Sequence, residues 1–306
     1  MLSTIALKVD VDTLRGTCEG VPRLMALLER LQVQASFLFS LGPDHTGRAV
    51  RRILRRGFVG KLRRTSVVSH YGLRTLLYGT FLPGPHIGNQ CAAQMRAVMR
   101  KGFEVGVHAY DHVKWQDGVA GASLDWTRAE LIAARDVFAD IFGYPPTLHG
   151  SAGWQMNRYV PSLQRELGFK LASDTRGDMP FIPPGGIVQL PTTLPTLDEL
   201  IGRDDLPEPS PIDTLLRLTR TSPLYGHVYT LHAEIEGGAY LGEFERLLQG
   251  WRQQEYRFVT LGMLGDSLEK TELARCELRQ GTVPGRAGVV AIARPSRHQK
   301  RTGSSS

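Results

Sequence analysis

Asp10 and Asp12, separated only by Val11, are the first residues in the chain with the makings of chemistry. In an extended strand alternate side chains share a face, so both carboxylates reach one site while Val11 points away. His108 and His112 stand four apart in His108-Ala-Tyr-Asp-His112. That spacing converges two imidazoles on one ion where a strand end runs into a helical turn, although alone it is as readily a pair of surface or capping histidines. With Asp12 added it becomes a two-His, one-carboxylate set with open positions, suited to one divalent transition metal such as Zn, Mn or Co. Asp10 is then left to take a proton from an attacking water. His232 closes the apolar run Val228-Tyr-Thr-Leu231 and is either a satisfied core histidine or the acid that protonates a leaving nitrogen. Asp174 and Arg176 are the supporting candidates, either as a bidentate pair that orients Asp10 or His232 or as a brace for a loop.

Strands and helices in alternation must carry these residues to one place. Apolar runs predict strands at Ile5–Val11, Ala35–Leu41, Phe103–His108, Thr147–His149, Phe169–Ser173, Ile187–Leu190, His227–His232 and Tyr256–Thr260. Amphipathic spacing predicts helices at Val21–Leu31, Cys91–Lys101, Trp126–Phe142, Pro161–Leu167, Ile212–Arg220 and Tyr240–Gln254. Seven or eight mostly parallel strands alternating with helices over this length indicate an α/β protein built as a distorted (β/α) barrel. The polar residues singled out above all fall at or just beyond C-terminal strand ends, the face on which such barrels build active sites. The barrel is expected to span 1–270, with an insertion over 45–90 after the second strand. Residues 271–306, rich in Gly, Ser, Arg and Pro without periodicity, read as a flexible basic tail.

The 306 residues are 42% hydrophobic and 22% charged, a soluble globular balance that excludes wholesale disorder and a polytopic membrane protein. Three scattered cysteines form no framework or metal motif and suit a reducing compartment. The first residues lack a basic region and a cleavage site, so no signal peptide is expected. Net charge is +7, yet from His45 to Phe103 there is no acidic residue against twelve basic ones, which makes the rest of the chain net acidic. Arg51, Arg52, Arg55, Arg56, Arg63 and Arg64 alternate there with Val50, Ile53, Leu54, Phe58, Val59 and Leu62. This is the make-up of a basic amphipathic element that docks on an anionic membrane surface or a lipid phosphate, or else of a solvated helix packed by its apolar stripe. No zinc finger, RRM signature or recognition helix points to nucleic acid.

Lys8-Val-Asp-Val-Asp-Thr13, His108-Ala-Tyr-Asp-His112 and Tyr229-Thr-Leu-His232 resemble the motifs of the polysaccharide deacetylases, carbohydrate esterase family four. The resemblance runs from about Ile5 to Leu264 and implies a distorted barrel. It makes Asp10 the base, Asp12, His108 and His112 the metal ligands, and His232 the acid. Two features depart from that family: its adjacent aspartates are spaced here, and its Arg-x-Pro motif is replaced by His149-Gly-Ser-Ala-Gly-Trp154, leaving Arg176 as the candidate to orient Asp10. Longer blocks are similar to the bacterial family of deformylases acting on 4-deoxy-4-formamido-L-arabinose linked to undecaprenyl phosphate. They are Val9–Leu24, Gly42-Pro-Asp44, Ala152-Gly-Trp154, Ser173–Phe181 and Leu231–Gly237. That resemblance implies a lipid-linked substrate handled peripherally at the cytoplasmic side of the inner membrane, in lipid A modification and polymyxin resistance. The alternatives are a deacetylase of polysaccharide or peptidoglycan and a non-catalytic lipid-carrier binding protein.

Overall fold

The computed structural model describes residues 3–49 and 74–295. The first βαβ unit forms as expected: β1 is Thr4–Val11, α1 Val21–Arg30 and β2 Ser36–Ser40. Then follow α2 (Ile87–Arg100), β3 (Glu104–Ala109), α3 (His112–Gly118), α4 (Leu124–Phe142), β4 (Leu148–His149), α5 (Val160–Glu166) and β5 (Leu171–Ala172). Beyond these lie β6 (Phe181–Ile182), β7 (Val188–Gln189), α6 (Leu197–Leu200), α7 (Pro211–Leu218) and β8 (His227–His232). The described chain finishes with α8 (Leu241–Gln253), β9 (Arg257–Val259), α9 (Leu261–Asp266), β10 (Ala274–Gly281) and β11 (Val290–Pro295). Local chemistry sets the ends: the Ser123 hydroxyl accepts from Trp126 N to start α4, and Gly143 at φ 82° closes it.

The eleven strands run in the order β11-β10-β6-β7-β5-β4-β3-β2-β1-β8, with β9 against β1. Seven of them, β1, β2, β3, β4, β5, β7 and β8, pair in parallel as the wall of the expected distorted barrel. The segment after β7 closes the ring, where Thr193 N donates to Val228 O at 3.0 Å and the Thr192 and Thr230 hydroxyls meet at 2.7 Å. β8 covers one edge of β1 over Ile5–Asp10, so β9 and β2 share the other edge, β9 along Thr4–Ala6 and β2 from Lys8 onward.

The period of two in β1 sorts its side chains. Ile5, Leu7, Val9 and Val11 face outward into the main core with α1, α2, α4 and α8. Ala6, Lys8 and Asp10 face inward, in register with Val228, Thr230 and His232 of β8. Ala6, Leu38, Leu148, Val228, Val259, Leu261 and Leu264 form an apolar plug at the bottom of the barrel. Each such side chain contributes about 1.5–3 kcal/mol on burial. Above this plug, toward the C-terminal rim, the inward residues are polar, beginning with Lys8 and Asp10 of β1 and Thr230 of β8.

One sequence expectation is corrected here. Residues 274–295 are not structureless: β10 and β11 pair antiparallel from Cys276↔Pro295 to Gly281↔Val290, and β10 also joins β6. The hairpin was hidden because it buries few residues, Cys276, Val290 and Ala291, while charged side chains alternate along β10. Residues 296–306 lie outside the described chain, as do 50–73 and with them Arg51, Arg52, Arg55, Arg56, Arg63 and Arg64. The base of that insertion is tied together, with Gly47 N bonded to Tyr78 O and Arg48 Nε to Gly79 O.

Candidate active site

The C-terminal ends of β1, β3 and β8 bring together Asp10, Asp12, His108, His112 and His232. Val105 and Val107 of β3 face the outer core, so alternation turns His108 inward, and the register of β2 against β3 skips it between Phe39 and Ser40. Four residues later His112 opens α3, where the Asp111 carboxylate accepts from Lys114 N and also meets His45 Nδ1 at 2.6 Å. The strand-to-helix step therefore supplies the convergence that the i, i+4 spacing requires. Asp12, His108 and His112 each offer an atom within 4.8 Å of the other two.

Lone pairs decide what this group can hold. His108 Nδ1 donates to Gly150 O at 2.6 Å, which leaves Nε2 as a lone pair 3.2 Å from Asp12 Oδ1. His112 Nε2 stands 3.5 Å from the same oxygen. Burial opposes ionisation of Asp12, but positive charge on the neighbouring imidazoles of His112 and His108 holds its carboxyl well below the usual carboxylate range, a charge that a bound cation would supply in their place. Burial pushes His112 down, toward the neutral form that ligates. Asp12 Oδ1 is buried with no hydrogen-bond partner among the described residues. Three facing electron-pair donors of the N, N, O type, one anionic, fit a divalent transition metal.

Asp10 stands beside this group in a different environment. Its Oδ2 is 3.1 Å from Lys8 Nζ, a fully buried ammonium that also donates to Ser173 O. Its Oδ1 is buried with no hydrogen-bond partner among the described residues, which leaves it as an acceptor. On the neighbouring strand β8, His232 is Cα partner to Asp10, and its backbone N–H donates to Glu236, which also accepts from the Tyr229 hydroxyl. Burial alone would push His232 down, but the carboxylates of Asp198, then Asp12, Asp10 and Glu236, raise it to about 9. One side of the site thus carries a proton acceptor and the other a proton donor.

The supporting pair is corrected. Asp174 and Arg176 neither pair with each other nor orient Asp10 or His232. Asp174 is fully buried, bonded to His149 Nδ1 and Ser151 N at 2.7 Å each and to Gln164 and Gln189. It fixes the 149–151 turn, whose Gly150 carbonyl holds His108. Arg176 bonds Glu199 at 2.6 Å and Leu194 O at 3.0 Å. The post occupied by an arginine in the resembled motif falls to Lys8, two residues before Asp10 on the same strand face.

Residues 3–172 match the family model for polysaccharide deacetylases. The chain belongs to the polysaccharide deacetylase family. A Shewanella sediminis (strain HAW-EB3) protein assigned as a 4-deoxy-4-formamido-L-arabinose-phosphoundecaprenol deformylase is 35% identical over 94% of this chain and 93% of its own length. A Wigglesworthia glossinidia brevipalpis protein with the same assignment is 32% identical over 90% of this chain and 97% of its own. A Mycobacterium smegmatis crystal structure, also assigned to the polysaccharide deacetylases, shares the fold with a TM-score of 0.61 at 16% identity, over 92% of this chain and 96% of that one. The enzyme class expected from the sequence, a hydrolase of linear amide C–N bonds, agrees with this family and these relatives.

Further residues complete the site of this deacetylase-family member. The Glu234 Oε1 atom accepts from Asp12 N, Thr13 N and the Thr13 hydroxyl, so it shapes the turn that carries Asp12. Burial, then the charge of Asp12, pushes Glu234 up to about 8. Gly16 makes this approach possible, since a Cβ there would lie 1.9 Å from Glu234 Oε1. The i, i+2 pairing of Lys8 with Asp10 was readable from strand periodicity. Glu234 had only its place on the rim as a signal, and Asp198 had none.

Proposed function

We propose that the protein hydrolyses the formamide of 4-deoxy-4-formamido-L-arabinose-phosphoundecaprenol, releasing formate and the 4-amino sugar lipid. The observation that carries this reading is sequence identity above 30% along nearly the whole chain with two proteins of that assignment, together with a rim that holds every group amide hydrolysis needs.

Asp12, His108 and His112 would hold a divalent metal, whether Zn, Mn or Co, which would supply Lewis acidity at the site. Asp10 Oδ1 accepts the proton of the attacking water as its oxygen bonds to the formyl carbon. Lys8 balances the Asp10 carboxylate and fixes its orientation. His232 donates a proton to the sugar nitrogen as the C–N bond breaks, so the amine leaves neutral and formate retains the new oxygen. Asp198 and Glu236 keep His232 charged for that step.

Placement at the cytoplasmic side of the inner membrane, and through it a role in lipid A modification and polymyxin resistance, belongs to the same proposal. The acid-free segment supports it, with Arg51, Arg52, Arg55, Arg56, Arg63 and Arg64 as candidate contacts to lipid phosphates. At its described base the Phe81 side chain is 83% exposed and its neighbour Leu82 38%. Presenting the enzyme with the formamido-arabinose lipid and an N-acetylated oligosaccharide tests the reading. Release of formate from the first is expected, and release of acetate from the second alone would replace it with a polysaccharide deacetylase.

A further inference from the structure

The Trp154 ring is shared by three cations: Lys8 Nζ lies 5.5 Å from its centre, Arg176 Cζ 4.9 Å and Arg286 Cζ 4.6 Å. Two have close carboxylates, Lys8 with Asp10 at 3.1 Å and Arg176 with Glu199 at 2.6 Å. Arg286 differs. Among the described residues its ion-pair partner is the same Glu199 Oε1, at 3.9 Å, an oxygen already engaged by Arg176, and its hydrogen bond goes to Gly153 O at 3.3 Å. A guanidinium has five N–H donors, so most of this one's capacity is unspent, and its side chain keeps 17% exposure.

The placement of Arg286 is fixed. It sits in the turn joining β10 to β11, and the preceding Gly285, at φ 81°, comes so close to α6 that a Cβ there would lie 2.2 Å from Glu199 O. Only glycine allows that conformation and that approach together. α6 also carries Asp198, whose Oδ1 is 3.7 Å from His232 Nδ1, so the turn is docked on the wall of the active site. Burial lowers the Arg286 pKa, opposed by the charges of Asp198 and Glu199 on the same wall.

We propose that Arg286 is a specificity-determining residue that binds the phosphodiester of the lipid-linked sugar, holding the charged end of the substrate while the metal centre holds its formyl end. This rests on the functional reading above. In a six-membered sugar C4 and C1 lie across the ring, so the phosphate projects from the metal site by the width of the sugar, toward another part of the same rim. A planar guanidinium fork is the side chain best matched to a phosphate there.

The test compares a short-chain prenyl phosphate of formamido-arabinose with its uncharged methyl glycoside, using wild type, Arg286→Gln and Arg286→Lys. Wild type is expected to prefer the phosphodiester. Arg286→Gln should reduce that preference, as the ratio of kcat/KM values, by about tenfold or more. The loss should appear in KM for the phosphodiester, with partial recovery in Arg286→Lys. Equal losses on both substrates would assign Arg286 to bracing Trp154 and Glu199 and overturn the proposal, as would an unchanged ratio. If wild type releases formate from neither, the functional reading fails, and calorimetry with L-arabinose 1-phosphate against L-arabinose then judges the subsite. Phosphate-dependent binding lost in Arg286→Gln would sustain it, and no such binding, or equal binding by both proteins, would overturn it.

Discussion

Asp10 and Asp12 are two carboxylates with two environments, which suits one short strand end to the two roles proposed for it, a base and a metal ligand. Asp12 faces imidazole lone pairs and Asp10 faces an ammonium, so exchanging their roles would require exchanging their neighbours. His232 is the counterpart on the neighbouring strand, its charge supported chiefly by Asp198. Replacing Asp198 with Asn removes the largest opposing charge and lowers the His232 pKa, so the alkaline limb of the kcat/KM profile should move to lower pH. A limb that stays in place would show that another group provides the acid. At this scale the sequence was legible wherever spacing encodes geometry, as in Asp10-Val-Asp12 and His108-to-His112. It was opaque where partners come from distant segments, as with Asp198 and Glu234.

β4 and β5 contribute only two residues each to the ring, and the buried His149–Asp174 network ties them to α5 through Gln164. Burial would raise the Asp174 carboxyl, but the charge and hydrogen bond of His149, with Gln164 and Gln189, hold it at about 2. Because the folded value lies below the ordinary one of about 3.9, this stabilisation is complete above about pH 4 and is lost as pH falls toward 2. It amounts to about 2 kcal/mol. The stability gap between wild type and Asp174→Asn, measured by denaturant unfolding, should therefore narrow from pH 5 to pH 2. A constant gap would remove the charge from the account. The β10–β11 hairpin was not legible, because a strand pair that buries so few residues and exposes alternating charges has the composition of a tail. Ending the chain at residue 271 removes the Val290 and Ala291 packing and Arg286, so a lowered melting temperature and weaker turnover of the lipid-linked substrate are expected. Unchanged values would make the hairpin dispensable.

The whole molecule is a ring of parallel strands plugged with apolar side chains at one end and lined with titratable ones at the other. That polarity follows from the inward positions of β1, where Ala6 precedes Lys8, Asp10 and Asp12, and it is why strand counting alone found the correct face. The sequence concentrates basic residues in one segment of an otherwise net acidic chain, the pattern on which the proposal of a local anionic partner rests. The protein should co-sediment with anionic vesicles at low salt and be released as salt rises, while a 50–73 deletion should not bind. Salt-insensitive binding would point to a different attachment.

The measurement that bears most directly on the central claim is formate release from the formamido-arabinose lipid by chelator-stripped protein, before and after adding Zn²⁺, Mn²⁺ or Co²⁺. Wild type, Asp10→Asn and a His108→Ala, His112→Ala double variant would be assayed in parallel, with bound metal quantified. The account predicts metal-dependent release by wild type, metal retained but turnover reduced at least about a hundredfold in Asp10→Asn, and neither metal nor turnover in the double variant. Full activity in folded Asp10→Asn, or an unchanged metal content in the double variant, would contradict it.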